Sequence, residues 1–247
     1  SSYASEAANF AVFTGSYEQM RQIAERIRKA AEDLNVKRIV VGECGHAWRV
    51  AYNFWNTLVG PFDFLDNSYP IPQHICEFTF DLIKNKKIKF DKSKNDHMTL
   101  TFHDSCNVSR ASRMGEEPGG QYTYPREIIK ACCNNFVDMA EDTIRENTYC
   151  CGGGGGLLTD DLIELRVKGA KPRMEALNQV TKDKGVTHMA AICAICKTQF
   201  SKVMPYYGFR MDQIVSVHQL VSNAIIIDDH KMDGQVNNNL DNLKSDK

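Results

Sequence analysis

Long apolar runs and a surplus of charge of either sign are both missing from this sequence. No segment approaches the roughly 20 uninterrupted apolar residues that a membrane-spanning helix needs, so we expect the chain by itself to be soluble. Lysine and arginine number 30 against 31 aspartates and glutamates, which leaves no basic surplus to attract nucleic acid or anionic lipid. The 247 residues are 43% apolar, as in a globular protein with one large core or two smaller ones.

Several common ligand motifs are missing as well. Neither the Walker phosphate loop nor the GxGxxG dinucleotide loop occurs, because Leu157 and Leu158 follow the single glycine run. The chain has one CxxC, whereas a structural zinc site usually takes two, or one CxxC with paired histidines. The chain starts Ser-Ser-Tyr, without an initiator methionine or a signal peptide, so we expect a processed form or a fragment of a longer protein.

Helical and extended patterns alternate along the chain. Residues 17–34 repeat apolar side chains at helical spacing, and a short β-branched run follows at 37–42. The same order recurs in a strand at 97–104, a helix at 172–180, a strand at 185–193 and a helix at 197–207. Such alternation predicts an α/β fold with mostly parallel sheets flanked by helices.

The sequence also contains an internal duplication. VTHMAAICAIC, which ends at Cys196, can be laid over VKRIVVGEC, which ends at Cys44. In this overlay Val41 stands where the second copy has Cys193, so the first copy has lost a cysteine. We therefore expect two related halves, an incomplete one at 1–95 and a complete one at 96–227. The segment 228–247 has almost no apolar periodicity and is predicted to be a disordered tail.

Nine cysteines are many for an intracellular chain of this length, few for a small disulfide scaffold, and odd in number. Five of them stand at the carboxyl ends of predicted strands or in the loops beyond, where open α/β sheets place their ligands. These five are Cys106, Cys150, Cys151, Cys193 and Cys196. Thiolates in this number are typical of an iron–sulfur cluster, and a CxxC brings two sulfurs to one side of a helical turn.

The adjacent pair Cys150-Cys151 opens a run of five glycines. Neighbouring side chains of an extended backbone diverge, so two such thiolates reach different irons more easily than one corner of a compact cube. An extended, non-cubane cluster would suit them. Gly152, Gly153 and Gly154 would let backbone amides approach an anionic centre without a Cβ in the way.

Other interpretations of these motifs stay open at this point. The glycine run could be a flexible linker, the cysteines could hold zinc, or Cys193 and Cys196 could form a thioredoxin-like dithiol. A dithiol would leave the Cys150-Cys151 pair unexplained. Three more cysteines lie in apolar stretches and are expected in the core, namely Cys76, Cys132 and Cys133.

The order of a cysteine, then CCG, then CxxC at gaps of 44 and 42 residues resembles the CCG-domain proteins, among them the heterodisulfide reductase subunits B and D. The resemblance covers most of residues 10–227. It implies that Cys106, Cys150, Cys151, Cys193 and Cys196 ligate a non-cubane [4Fe–4S] cluster. Because the first half is incomplete, a second cluster of this kind is not expected.

Within this family, the segments at 43–49, 101–110 and 149–158 look most like DsrK, a subunit of the sulfite-reductase-associated DsrMKJOP membrane complex. That resemblance implies an oxidoreductase that cleaves or forms a disulfide or trisulfide on a small DsrC-type sulfur-carrier protein. It implies a cytochrome b-type membrane partner and other complex subunits, a place at the cytoplasmic face of the membrane, and a missing N-terminal ferredoxin-like part. The alternative is a CCG subunit that only relays electrons for a lactate, glycolate or glycerol-3-phosphate dehydrogenase.

Thiolates that leave a cleaved disulfide need protons, and two histidines are candidates to supply them. His103 precedes Cys106 by three positions and His46 follows Cys44 by two, although either could equally be a structural, hydrogen-bonded histidine. Cys44 is expected at the mouth of the pocket, where it could meet the substrate sulfur. Lys197 could offset the negative charge of the cluster, or could be an ordinary exposed lysine at a helix start.

Overall fold

The computed structural model describes residues 9–67, 71–113, 120–156 and 158–227. The tail predicted at 228–247 lies outside these ranges. Among the helices within them, none is both long enough and apolar enough to cross a membrane. The mixture of helices and parallel strands confirms the predicted α/β class.

The first part of the chain forms four helices around a two-stranded parallel sheet. Its elements are α1 (Asn9–Thr14), α2 (Tyr17–Asp33), β1 (Val40–Val41), α3 (Gly45–Val59), β2 (Gln73–His74) and α4 (Ile75–Lys84). Helix α2 confirms the amphipathic pattern, since Met20, Ala24 and Ile27 are buried along one face and the Ser16 side chain caps its start. The predicted strand is shorter than expected, with Val40 paired to Gln73.

The second part forms a three-stranded parallel sheet with helices on it. Its elements are β3 (Leu100–His103), α5 (Thr123–Cys132), α6 (Ile163–Lys184), β4 (His188–Ala191), α7 (Ala194–Val203), β5 (Ile214–Ser216) and α8 (Val217–Ala224). The strand order is β3-β4-β5, with His103 opposite Ala191 and Ala191 opposite Ser216. The carboxyl ends of the three strands therefore meet at one edge.

Helix α6 is longer than the sequence pattern predicts. The prediction started this helix at Pro172, because proline favours the first turn, but the helix already begins at Ile163. Proline removes one backbone hydrogen bond within the helix, and a buried face that includes Arg166, Ala170, Met174 and Leu177 continues through it. Packing of that face outweighs the proline signal.

Two hydrophobic clusters make up the core. One surrounds Met174, Leu177 and Phe200 between α6, β4 and α7. The other joins residues of both predicted halves, for example Trp48 of α3 with Phe102 of β3. The boundary at 95/96 stays a prediction, and a continuous apolar cluster crosses it. This cluster holds the loop after β1 beside the carboxyl edge of the three-stranded sheet, where the Ala194 N–H donates to the Glu43 carbonyl.

Candidate functional site

The five cysteines singled out in the sequence come together beyond the carboxyl ends of β3 and β4. Cys106 lies in the turn after β3, and Cys150 and Cys151 lie in the loop that leads to α6. Cys193 is the N-cap residue of α7 in extended conformation, and Cys196 sits in the first turn of that helix. Four of the five thiols are buried or partly buried, whereas Cys150 is exposed.

The thiols form a chain in which each one shifts the pKa of its neighbour, in the order Cys106, Cys150, Cys151, Cys196, Cys193. The contact with Cys150 and burial raise the pKa of Cys106, while hydrogen bonds from Cys106 and Cys151 lower the pKa of Cys150. The contact with Cys150 raises the pKa of Cys151 to about 12. At the far end of the chain, hydrogen bonding from Cys196 lowers the pKa of Cys193. Negative charge is thus favoured at Cys150 and at Cys193.

Backbone amides point at both of these sulfurs. The N–H of Gly152 donates to Cys150 Sγ at 3.3 Å, and the N–H of Gly45 donates to Cys193 Sγ at 3.4 Å. The Asn107 side chain lies 3.7 Å from Cys106 Sγ. Such donors stabilise an anionic sulfur centre.

The start of the glycine run is packed tightly and does not behave as a linker. Gly152 has φ of 83°, and a Cβ on it would lie 2.5 Å from the Arg166 carbonyl oxygen and 2.7 Å from the Ala170 nitrogen. A Cβ on Gly153 would lie 3.3 Å from Cys151 Sγ. Gly154 also has positive φ, at 53°. The run therefore brings the backbone close to α6 and to the thiols.

The first part of the chain also borders the site, through Cys44 and the start of α3. Cys44 is the N-cap residue of α3, the same place that Cys193 takes before α7. The overlay that matched Cys44 with Cys196 is therefore three residues out of register here, and Ala47 is the counterpart of Cys196. The match between the two halves follows from the N-cap positions of the helices, which the sequence overlay did not take into account.

His46 reaches the thiol chain from the first part of the protein through Cys193, and its ring also contacts Cys44. The His46 ring is buried and lies 2.9 Å from the Asn107 amide nitrogen, measured at Nε2. Burial lowers the pKa of His46, but hydrogen bonds to Cys193 and Cys44 outweigh it and raise that pKa to about 9. Cys44 is partly exposed at the edge of the site.

His103 has a different environment from His46. Its ring is 1% exposed, stacks edge-on against Phe200 at 4.9 Å, and neither ring nitrogen has a hydrogen bond to a residue that the structure describes. Burial, together with the positive charge of Arg173, puts the pKa of His103 well below its usual range. The imidazole is therefore neutral and lies behind the thiols.

Lys197 is paired rather than directed at the thiols. Its ammonium donates to Glu43, which also accepts from the Ser216 hydroxyl and from both the backbone N–H and Nδ1 of His218, at 2.9 and 2.6 Å. Burial alone would raise the pKa of Glu43, but the His218, Lys197 and Ser216 hydrogen bonds lower it to about 2. Sequence reasoning missed Glu43, although it directly precedes Cys44 at a strand end.

A second missed group is Asp104, two residues before Cys106. Both of its carboxylate oxygens accept from Arg126, at 2.7 and 2.8 Å, and one also accepts from the Arg145 backbone N–H. Arg126 reaches on to Asp138. This buried pair anchors the turn that carries Cys106. The sequence signal that could have identified Asp104 is a charged residue at the end of an apolar strand.

The remaining cysteines lie in the core, as expected. Cys132 and Cys133 are buried with their sulfurs 3.7 Å apart, and Cys76 is fully buried. None of the nine cysteines is in a disulfide.

A cavity of about 260 Å³ opens beside the exposed thiol. It is lined by Cys150, Gly152, Gly153, Gly154, Leu162, Leu165, Arg166 and Gly169. A larger cavity of about 550 Å³ lies between α6 and the segment 138–149, but no cysteine lines it. Of these two cavities, the smaller one reaches a thiol of the group, that of Cys150.

The donor set suits a cluster better than a single ion. Within the described ranges, no three His, Cys, Asp or Glu side chains converge on one metal position. An iron–sulfur cluster does not require such convergence, because cysteine thiolates ligate its several irons separately. A contiguous chain of thiols with amide donors fits that mode of binding.

Comparison with known proteins shows which family this chain belongs to. The cysteine-rich CCG domain matches residues 100–201, which include all five cysteines. An Hdr-like menaquinol oxidoreductase iron–sulfur subunit from Archaeoglobus profundus is 40% identical over 254 aligned positions, 92% of this chain and 44% of the relative. The D-type subunit of a dihydromethanophenazine:CoB–CoM heterodisulfide reductase from Methanosarcina mazei is 28% identical over 83% of this chain and 45% of the relative.

A match over a shorter stretch is FadF from Bacillus subtilis, a probable iron–sulfur-binding oxidoreductase. It is 34% identical over 56% of this chain and 17% of the relative. The chain spans less than half the length of each of these relatives. The resemblance to CCG-domain proteins and to heterodisulfide reductases of the D type is confirmed.

Proposed function

Since this chain carries a cysteine-rich CCG domain at 100–201 and is homologous to Hdr-like iron–sulfur subunits, we propose that it is part of an oxidoreductase subunit acting on a disulfide or trisulfide. Its cofactor would be one [4Fe–4S] cluster. The observation that carries the proposal is the unbroken chain of five thiols with glycine N–H groups directed at Cys150 and Cys193.

The residues that would hold the cluster are Cys106, Cys150, Cys151, Cys193 and Cys196. The adjacent pair supports the non-cubane form, because the two thiols, which interact with each other, also have different second partners, Cys106 for Cys150 and Cys196 for Cys151. Neighbouring thiolates that turn to different partners suit different irons. Gly152, Gly153 and Gly154 would bring their backbone up to the cluster.

When bound, the cluster would supply electrons one at a time and iron that binds sulfur. Reduction of a disulfide takes two electrons and two protons and yields two thiols. The cavity beside Cys150 would admit the substrate sulfur, and Leu162 and Leu165 give it an apolar wall.

Three further groups are proposed to serve the reaction. His46 lies between Cys193 and Cys44, a position from which it could hold a proton for a leaving thiolate. Cys44, at the partly exposed edge, could meet the substrate sulfur. His103 is buried and neutral, so we propose for it the role of a neutral group packed behind the thiols in place of the proton-donor role considered above.

We propose a DsrK-like place for this chain in dissimilatory sulfur metabolism, with a DsrC-type carrier as the substrate. The supporting observations are the segments at 43–49, 101–110 and 149–158 and the open cavity at Cys150, which could receive a sulfur borne on a protein arm. A cytochrome b-type membrane subunit and a place at the cytoplasmic face would follow. The name of the Archaeoglobus relative, a menaquinol oxidoreductase subunit, agrees with a membrane-linked partner.

The domain division is also part of the proposal. Residues 1–95 would be the remnant of a first CCG-type half, because Cys44 and Cys193 cap equivalent helices after parallel strands. This half has Ala47 where the second half has Cys196, so the second half, 96–227, would hold the one cluster.

A second candidate function is an electron relay without a substrate. An EtfAB:quinone oxidoreductase from Syntrophomonas wolfei is 28% identical over 49% of this chain, and Cys193 and Cys196 are buried, as a relay would allow. Exposure of Cys150 beside a cavity favours the enzyme over the relay.

The proposal is tested by iron and acid-labile sulfide analysis, with EPR after oxidation, on anaerobically reconstituted protein. We expect about four irons per chain, lost in Cys150→Ala/Cys151→Ala. The matched control is Cys132→Ala/Cys133→Ala, the other adjacent pair, which should keep its iron. Zinc in place of iron, or iron retained in the first variant, would contradict the five-cysteine site. An EPR signal that changes on adding a thiol separates the enzyme from the relay.

A further inference from the structure

Arg173 is a buried cation with no carboxylate partner among the described residues. Its side chain is 0% exposed on α6. Its guanidinium donates to neutral groups, namely the Met139 sulfur at 2.9 Å, the Thr143 carbonyl and the Thr148 hydroxyl at 2.8 Å. Its Nε has no hydrogen bond, and no ion pair between described residues includes it. Arg126 nearby instead has two carboxylates.

A lone charge in a protein interior is unfavourable unless an opposite charge lies near. Burial lowers the pKa of Arg173 to about 10, so the guanidinium stays protonated at neutral pH. Asp104 and Asp138 both pair with Arg126 and not with Arg173. Together with Arg126 they carry one net negative charge, which offsets Arg173 in the sum but puts no carboxylate in contact with its guanidinium.

The groups that surround Arg173 lead to the thiol chain. Its guanidinium carbon lies 5.8 Å from the ring centroid of Tyr149, the residue before Cys150. It interacts electrostatically with Cys196 and with His103, and His103 in turn interacts with Cys150. Because the His103 imidazole is neutral and lacks hydrogen-bond partners among the described residues, it does not cancel the field between the guanidinium and the sulfurs.

From this arrangement we infer that Arg173 acts as a buried positive charge near the thiolate centre and raises the reduction potential of the proposed cluster. The inference rests on the proposed function. Arg173 makes no hydrogen bond to a thiol, so it is a positioning residue that acts through its field. An added electron is stabilised by a cation in a low-dielectric interior and hardly at all by one in solvent.

The test is an EPR-monitored redox titration of reconstituted protein, with iron content measured on each sample. In Arg173→Met we expect the ratio of reduced to oxidised cluster at a fixed potential to fall about tenfold, a negative shift of about 59 mV for one electron. Arg173→Lys retains the charge and should stay within about twofold of the wild type.

Two controls separate charge from structure. Thr148→Val removes the hydrogen bond to the guanidinium and the one from the hydroxyl to the Asp104 carbonyl, but leaves the charge. Arg210→Met removes an exposed, solvent-screened cation. Both should keep the wild-type potential. If Thr148→Val shifts the potential as far as Arg173→Met, or if Arg173→Met does not shift it, the inference is wrong.

Failure of the inference and failure of the proposed function look different. Wild-type protein without iron overturns the proposed function and the inference with it. Iron in every variant, with an unchanged potential in Arg173→Met, overturns the inference alone. If Arg173→Met does not fold, Arg173→Gln is measured in its place and compared with Arg173→Lys. Equal potentials in that polar pair would overturn the inference.

Discussion

At the scale of single residues, the site depends on two glycines, which have no Cβ, as much as on the thiols. Gly152 lets the backbone turn at positive φ directly against α6, while its N–H reaches Cys150. Gly45 similarly lies so close to Cys193 and Asn107 that a Cβ would meet their side chains at 3.1 to 3.3 Å. A larger residue at either position would move the backbone N–H away from the cysteine sulfur to which it donates.

The matched glycines Gly152 and Gly208 allow this to be tested. Both have φ near +82°, but a Cβ on Gly208 would meet nothing within 4 Å. We expect Gly152→Ala to lower the free energy of unfolding by at least about 2 kcal/mol more than Gly208→Ala, because a backbone clash adds to the same conformational strain. Urea unfolding and iron content measure both effects. Equal losses in the two variants would argue against the tight contact with α6.

At the scale of elements, one carboxylate ties several of them together. Glu43 follows β1, and its partners lie at the start of α7, at the end of β5 and at the start of α8. The backbone of Glu43 also accepts from the N–H of Ala194. This network holds the Cys44–His46 segment against Cys193.

The low pKa of Glu43, about 2, makes its contribution to stability pH-dependent. A carboxyl whose folded pKa is depressed stabilises the fold above its unfolded pKa, near 4.5, and loses that contribution as pH falls toward 2. We expect Glu43→Gln to lower the free energy of unfolding by about 3 kcal/mol at pH 7.

Urea titrations of the metal-free chain, followed by circular dichroism, give the difference between wild type and Glu43→Gln at each pH. That difference should be constant between pH 7 and 6 and smaller at pH 3. A difference that does not change with pH would show that the carboxylate charge is not what its partners stabilise.

At the scale of the whole molecule, the two predicted halves share a hydrophobic cluster. Trp48 and Phe62 of the first part belong to the same cluster as Phe102 and Leu220 of the second. The indole of Trp48 also donates to the Arg113 carbonyl at 2.7 Å. Neither half buries its apolar surface alone.

A chain limited to 96–227 is therefore expected to fold poorly, although it contains all five cysteines. Loss of the first part would expose apolar side chains of β3 and α8 and remove the Gly45 N–H from Cys193. Circular dichroism and size-exclusion chromatography of 96–227 and 9–227 test this. A stable, monomeric 96–227 that binds iron as well as the longer chain would show that the halves are independent.

The sequence by itself determined the class of fold, several of its helices and strands, and the five cysteines to examine. These features depend on local periodicity and on fixed spacings at strand ends, which are visible without the fold. The length of α6 was mispredicted, because buried packing of its face overrides the local signal of Pro172.

Only the tertiary structure decided which groups surround the thiols. Gly45 and Cys193 are 148 positions apart, and no local pattern shows that the amide of one meets the sulfur of the other. The tertiary structure likewise paired Lys197 with Glu43 and left Arg173 buried among neutral groups. Burial and partners arise from contacts between distant segments, so the electrostatics of the site exist only once the chain has folded.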